Sequence, residues 1–304
     1  MTPDGVPPRR FSAADSPAFA GADSEFPLTE SQIARLVKGA LDEDQAFNDI
    51  TTLATVEPAQ RARARLVARE AGALSGVPLA LAAFVQCDDK VQIRVDAEDG
   101  QRVAAGAGVL FITGRARGVL AAERTALNYL QRLSGVATLT SRFVDAVRGT
   151  RARIVDTRKT TPGWRVLEKY AVRCGGGSNH RETLADAVLV KDNHLAAVDG
   201  DVALAVRKSR EFTLPGTFVQ IECDTLDQVR AAVAAGADGV LLDNMSPDMM
   251  REAVALAAGR VLTEASGGVR LDTVRAIAES GVDRISVGAL THSAPALNLA
   301  LDFE

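Results

Sequence analysis

FVQIECDTLDQVRAAVAAGADGVLLDNMSPDMMREAVALAAG, residues 218–259, decides the fold. Two short apolar runs, 218–225 and 239–246, are each followed by a segment with apolar residues at helical spacing. Short apolar runs that alternate with helices specify parallel strands joined by crossover helices. The same alternation extends outward in both directions. RIVDTRK (153–159), AVLVKDNH (187–194), RVLTEASGG (260–268) and RISVGALT (284–291) read as further strands, with DVALAVRKSRE (201–211) and RLDTVRAIAESG (270–281) as helices. Six such runs make either an open sheet or a barrel.

The polar residues choose the barrel. Every run ends, on its C-terminal side, in ionisable or small polar residues: Asp156 with Arg158 and Lys159, Lys191, Glu222 with Asp224, Asp243, Glu264 with Ser266, and Gly288. In a (β/α) barrel these ends converge on one face, where chemistry is done.

The segment Arg151–His194 carries nine Arg or Lys against five Asp or Glu, in a chain whose net charge is -4. A basic island on an acidic protein points to a small anion with several negative groups. No basic tail or interleaved aromatics accompany it, which speaks against nucleic acid. The retained lysines Lys159, Lys169 and Lys191 are candidate point-charge ligands for phosphate.

The 304 residues, with an apolar fraction of 47%, suit a two-domain globular enzyme. No run of eighteen apolar residues exists, and the N-terminus lacks the apolar core of a signal peptide, so a cytoplasmic protein is expected. Cys87, Cys174 and Cys223 are widely spaced and read as small buried residues, neither a disulfide framework nor a zinc site.

Residues 1–26 read as a flexible extension. A first domain, 27–135, opens with a helix capped by Thr29, with Ile33, Leu36, Val37, Ala40 and Leu41 on one face. RARARLVARE (61–70) alternates with period two as a strand, and GVPLALAAFVQC (76–87) reads as a helix. DGQRVAAGAGVL (99–110) reads as a hairpin; it has the look of a biotinyl or lipoyl carrier turn, but without the carrier lysine. The stretch 121–149 is a long helix with Gly135 as its expected break. The barrel is expected over 136–304, with the last residues free to pack back on the first domain.

Ser266, Gly267, Gly268, Gly288 and Ala289 allow backbone N–H groups to approach a phosphate, with helices expected to begin immediately after them. Glu222 and Asp243 end consecutive strands, and suit ribose hydroxyls, a magnesium ion or a general acid–base pair. Thr161 can cap a helix with Pro162 at its first position, ended by Gly175–Gly177. Thr157, Arg158 and Lys159 then project from one end and Asn179, His180 and Arg181 from the other, with Arg158 and Arg181 a clamp for a dicarboxylate.

DTRKTTPG, RCGGGSNHR, VLVKDNHL, IECDT, LLDN, EASGG and SVGALTHS, together with ERTALNYLQRLSGVATLT, resemble the quinolinate phosphoribosyltransferase family from about residue 28 to the C-terminus. The resemblance implies an N-terminal α/β sandwich, a C-terminal open α/β barrel usually described with seven strands, and a homodimer with shared active sites. A higher oligomer remains open. It implies that Arg124 is donated across the dimer interface, that Arg158, His180 and Arg181 bind quinolinate, and that Thr157 is a further substrate-binding residue. Lys159 and Lys191 would lie between quinolinate and pyrophosphate, with Glu222 and Asp243 on the ribose hydroxyls. Ser266, Gly267 and Gly268 with Gly288 would hold the 5-phosphate, and Val287 and Ala289 are expected among the substrate-binding residues. Lys159, Lys191, Glu222 and Asp243 are the expected catalytic set.

The implied reaction is a pentosyl transfer: quinolinate and phosphoribosyl pyrophosphate (PRPP) give nicotinate mononucleotide, pyrophosphate and CO2 in NAD biosynthesis. Magnesium would enter on the substrate pyrophosphate, with no protein ligand assigned. The alternatives are a molybdate-transport-associated paralogue of the same fold and a non-catalytic sensor of a phosphate ligand.

Overall fold

The computed structural model describes residues 25–304, so the extension read over 1–26 lies almost wholly outside the described residues. The chain first forms α1 (Glu30–Glu43), α2 (Ile50–Thr55), β1 (Arg61–Ala68), β2 (Gly72–Ala73) and α3 (Val77–Cys87). Next come β3 (Gln92–Val95), β4 (Arg102–Val103), β5 (Gly108–Arg115) and α4 (Ala116–Ala146). It continues with β6 (Arg153–Val155), α5 (Arg165–Cys174), β7 (Val188–Val190), α6 (Asp192–Ala196), α7 (Val202–Phe212), β8 (Val219–Cys223) and α8 (Leu226–Ala234). The last elements are β9 (Gly239–Asp243), α9 (Pro247–Ala257), β10 (Leu262–Ser266), α10 (Val274–Glu279), β11 (Arg284–Ser286), α11 (Ala289–His292) and β12 (Leu299–Phe303). No helix among the described residues is long and apolar enough to cross a membrane.

Two compact units result. One holds residues 25–141, Thr160–Gly176 and Ala289–Glu304. Its antiparallel sheet has the order β12-β1-β5-β3, with β1 paired to the C-terminal strand from Ala64↔Phe303 to Ala68↔Leu299. Helix α1 starts as its sequence requires: Thr29 and Gln32 form a reciprocal capping box, and Val37 and Leu41 are buried one turn apart. The expected hairpin at 99–110 is absent. Strand β4 pairs with β2 and β5 with β1 and β3, so the two arms join different sheets.

Gly135 does not break its helix. Helix α4 runs 31 residues through it, because the glycine answers a packing demand. A Cβ at this position would overlap the Pro295 carbonyl oxygen and lie 3.0 Å from the Ala296 Cα. The C-terminal segment crosses α4 here, with the Leu297 N–H donating to the Gln131 carbonyl at 3.0 Å. Gly135→Ala is therefore expected to destabilise the protein by about 1–3 kcal/mol, the usual cost of overpacking. Helix propensity alone predicts the opposite sign, a gain of roughly 1 kcal/mol. Urea unfolding of the variant separates the two.

The helix read from Thr161 begins later, at Arg165. Thr161 is committed elsewhere: its N–H and hydroxyl both donate to the Glu168 carboxylate, at 3.0 and 2.9 Å. Helix α5 belongs to this first unit.

The other unit holds Arg142–Lys159 and Gly177–Gly288. Its six strands are parallel in the order β6-β11-β10-β9-β8-β7. This is the cyclic order of a (β/α) barrel opened between its first and second strands. The described residues form six strands in this sheet, and its β6 edge carries one isolated parallel bridge, Ser178 to Val155, with the Ser178 N–H on the Ile154 carbonyl at 2.9 Å. One bridged residue between Gly177 and Asn179 has no apolar run by which to announce itself.

Candidate functional site

Parallel strands in this order carry their C-terminal ends along one rim, and register sets who stands beside whom. Val190 pairs with Ile221, so Lys191 and Glu222 are lateral neighbours. The Lys191 ammonium meets the Glu222 carboxylate at 2.6 Å, and the carboxylate is buried while the lysine is half in solvent. Asp243 pairs directly with Ser266.

The Asp243 carboxyl is pushed above its ordinary range by burial, and then by the charges of Glu222 and Asp224, against the opposing pull of Lys191 and Asn244. The folded carboxyl thus keeps its proton to higher pH than the unfolded one, and the folded state loses stability as pH rises from the unfolded towards the folded value. Asp243→Asn is accordingly expected to raise the melting temperature of the ligand-free protein at pH 7 while lowering its activity. An unchanged or lower melting temperature would contradict this electrostatic account.

After β6, Asp156 is fully buried and works as an organiser. Its carboxylate accepts the His180 N–H at 2.9 Å and the Asn179 side-chain amide. These bonds tie the strand end DTRK to the segment NHR. His180 is itself saturated. Its Nδ1 accepts the Arg181 N–H at 2.8 Å, and its Nε2 faces the Glu264 carboxylate at 3.5 Å.

Arg181 is buried and donates one guanidinium N–H to the Ala187 carbonyl at 2.7 Å. Burial, followed by the positive charge of Arg158, lowers its pKa from the usual arginine range. Arg158 is half-buried, and its Nε is a buried donor without a hydrogen-bond partner. Two guanidiniums whose charges oppose each other, one with an orphaned donor, have the chemistry to take an anion. Lys159 stands exposed beside them, its N–H on the Thr157 hydroxyl at 3.1 Å.

The turn after β10 is shaped for close backbone approach. Gly267 has φ +88°, and a Cβ there would run into Asn244, whose N–H donates to the Ser266 carbonyl at 3.0 Å. Gly268 has φ +57° and open space where a Cβ would stand. Only glycine suits the first position, and the second stands open. Helix α10 does not begin immediately after the turn; residues 269–273 intervene. Val287 is buried with its N–H on the Val155 carbonyl, Gly288 is half-buried, and α11 begins at Ala289 as expected.

All the predicted site residues except Arg124 and Ala289 fall in the barrel unit. Arg124 lies on α4 with its side chain exposed. Lys169, by contrast, is fully buried on α5, which overturns its reading as an open phosphate ligand. Cys223 is buried, its thiol pushed up to about 12 by burial, while Cys87 and Cys174 are only half-buried. Three residues without an assigned role complete the site from beneath: Asp156, Gln220 and Glu264. Gln220, a polar residue inside the apolar run VQI, was the legible signal for them.

Two family models divide the chain. The N-terminal domain of quinolinate phosphoribosyl transferase matches residues 49–134, and the C-terminal domain matches 136–302. The chain belongs to the quinolinate phosphoribosyltransferase family. Among its relatives, the nicotinate-nucleotide pyrophosphorylase (carboxylating) of Mycobacterium leprae is 44% identical over 287 residues, covering 92% of this chain and 99% of the relative. A probable nicotinate-nucleotide pyrophosphorylase (carboxylating) of Bacillus subtilis is 39% identical, covering 90% and 94%. The solved nicotinate-nucleotide pyrophosphorylase of Francisella tularensis superposes with a TM-score of 0.86 at 39% identity, covering 92% of this chain and 98% of that one. As a quinolinate phosphoribosyltransferase family member, the chain has the α/β domain and TIM-like barrel that its strand pattern implied.

Proposed function

We propose that this chain transfers the phosphoribosyl group of PRPP to quinolinate, releasing pyrophosphate and CO2 and forming nicotinate mononucleotide. The observation that carries this reading is the Arg158–Arg181 pair, two mutually repelling guanidiniums with a buried, unpartnered donor at the mouth of the barrel. Such a pair is relieved by a dianion, and a vicinal dicarboxylate brings two charges on one rigid ring.

The order of steps follows from charge. The pyridine nitrogen attacks C1 of the ribose as the bond to pyrophosphate breaks, and the ring nitrogen becomes cationic. That cation stabilises the electron pair left on C2 when the adjacent carboxylate departs as CO2, and C2 then takes up a proton. The protein contributes position and field: Glu222 and Asp243 beside the developing positive ribose, Lys159 and Lys191 toward the leaving pyrophosphate, and the Ser266–Gly268 turn with Gly288 around the 5-phosphate. His180 and Thr157 complete the quinolinate side.

Magnesium fits as a companion of the substrate. No group of three or more potential ligands clusters among the described residues, so Glu222 and Asp243 would supply at most two carboxylates and pyrophosphate oxygens and water the rest. Bound there, it would neutralise charge on the leaving group.

A homodimer is part of the proposal, supported by the exposed Arg124, which would serve the partner's site. Arg124→Ala subunits mixed with Arg181→Ala subunits are expected to regain activity that neither parent has; confirmed heterodimers without it would contradict a shared site. The charged small-molecule substrates suit a cytoplasmic enzyme. Turnover with PRPP and magnesium tests the reading itself: quinolinate is expected to give product, and nicotinate and nicotinamide none. Inertness toward all three would reject it.

A further inference from the structure

Glu264 is fully buried inside the barrel sheet, two residues before the end of β10. Its Oε2 accepts the Gln220 amide at 3.1 Å and faces the His180 Nε2 at 3.5 Å. In register it stands beside Arg284, also buried. Its other oxygen, Oε1, is buried without a hydrogen-bond partner. A buried carboxylate with an unmatched oxygen is a poor device for stability, since an apolar side chain of similar volume avoids the desolvation cost.

We infer that Glu264 is a positioning residue for quinolinate binding, acting through the His180 ring on Arg181. The inference rests on the quinolinate reading given above. Its physical basis is the histidine tautomer. A carboxylate opposite Nε2 favours the proton on that nitrogen, which leaves Nδ1 an acceptor. Nδ1 then receives the Arg181 N–H, so the backbone from which the substrate-facing guanidinium springs is held by the ring. With one ring nitrogen facing Glu264 and the other accepting the Arg181 N–H, the His180 ring links the buried carboxylate to the arginine. Gln220 holds the carboxylate from the other side, and lies on the strand that carries Glu222.

The test is Glu264→Gln, which keeps shape and an acceptor but removes the charge. The expected result is a rise in the KM for quinolinate of about ten-fold, with kcat within about three-fold and the KM for PRPP unchanged, matching the loss of one charge-assisted hydrogen bond. Combined with His180→Gln it should add nothing to the effect of His180→Gln alone. A folded variant with an unchanged quinolinate KM, a parallel rise in both KM values, or additive effects would overturn the inference. Nitrogen-15 NMR of the wild-type protein decides independently of how the variant folds: His180 should carry its proton on Nε2 with Nδ1 unprotonated. The opposite tautomer or a doubly protonated ring would overturn it. If the wild type itself fails to turn over quinolinate, the functional reading falls, and the NMR result still judges the relay.

Discussion

Arg181→Ala is expected to lower kcat/KM for quinolinate at least about 30-fold, because truncating one member of a desolvated charged contact costs roughly 2–5 kcal/mol. Three observations set that size. The side chain is buried, it is oriented by the Ala187 carbonyl, and its charge is already strained by Arg158. Removing it leaves one carboxylate of the substrate inside the barrel mouth with no counter-charge. Arg158→Ala should behave alike, since its buried Nε has no hydrogen-bond partner within the protein and is available to a substrate carboxylate. Both losses should fall on quinolinate more than on PRPP. Steady-state kinetics with each substrate varied in turn measures this, and near-wild-type turnover of either variant would remove the guanidinium pair from the mechanism.

Glu168→Ala should be the most damaging change to the fold, at about 3–5 kcal/mol, the cost of breaking a buried ion pair from one side. Glu168 is fully buried and takes Arg132 at 2.6 Å in addition to both Thr161 donors. Arg132 in turn donates to the Ala294 carbonyl at 3.0 Å and to the Thr291 carbonyl. One carboxylate therefore gathers α4, α5 and the segment before the C-terminal strand. Without it, a half-buried guanidinium and two donors lose their acceptor. Urea denaturation is the measurement, and a loss under about 1 kcal/mol would show that the network is dispensable.

The barrel was legible because each of its six strands is a short apolar run with a polar end, and that pattern depends only on local chain chemistry. The strand ends named in advance, from Arg158 to Gly288, are the residues that the sheet order brings to one rim. The misreadings share a cause. Gly135 is a helix breaker by propensity, but its meaning is set by Pro295, 160 residues away in the chain. Thr161 is a good cap locally, yet Glu168 claims both of its donors. The turn at 99–110 has hairpin chemistry, but its arms find better partners in separate sheets. Lys169 is a charged residue that the fold buries, and nothing in its neighbours along the chain distinguishes it from a solvated one.

The central claim is that ribosylation creates the cation that permits decarboxylation. Quinolinate labelled in its 2-carboxylate, incubated with the protein and magnesium, tests it directly. Labelled CO2 should appear only when PRPP is present, one for each nicotinate mononucleotide formed. Release of labelled CO2 without PRPP, or a nucleotide product that retains the label, would contradict the account.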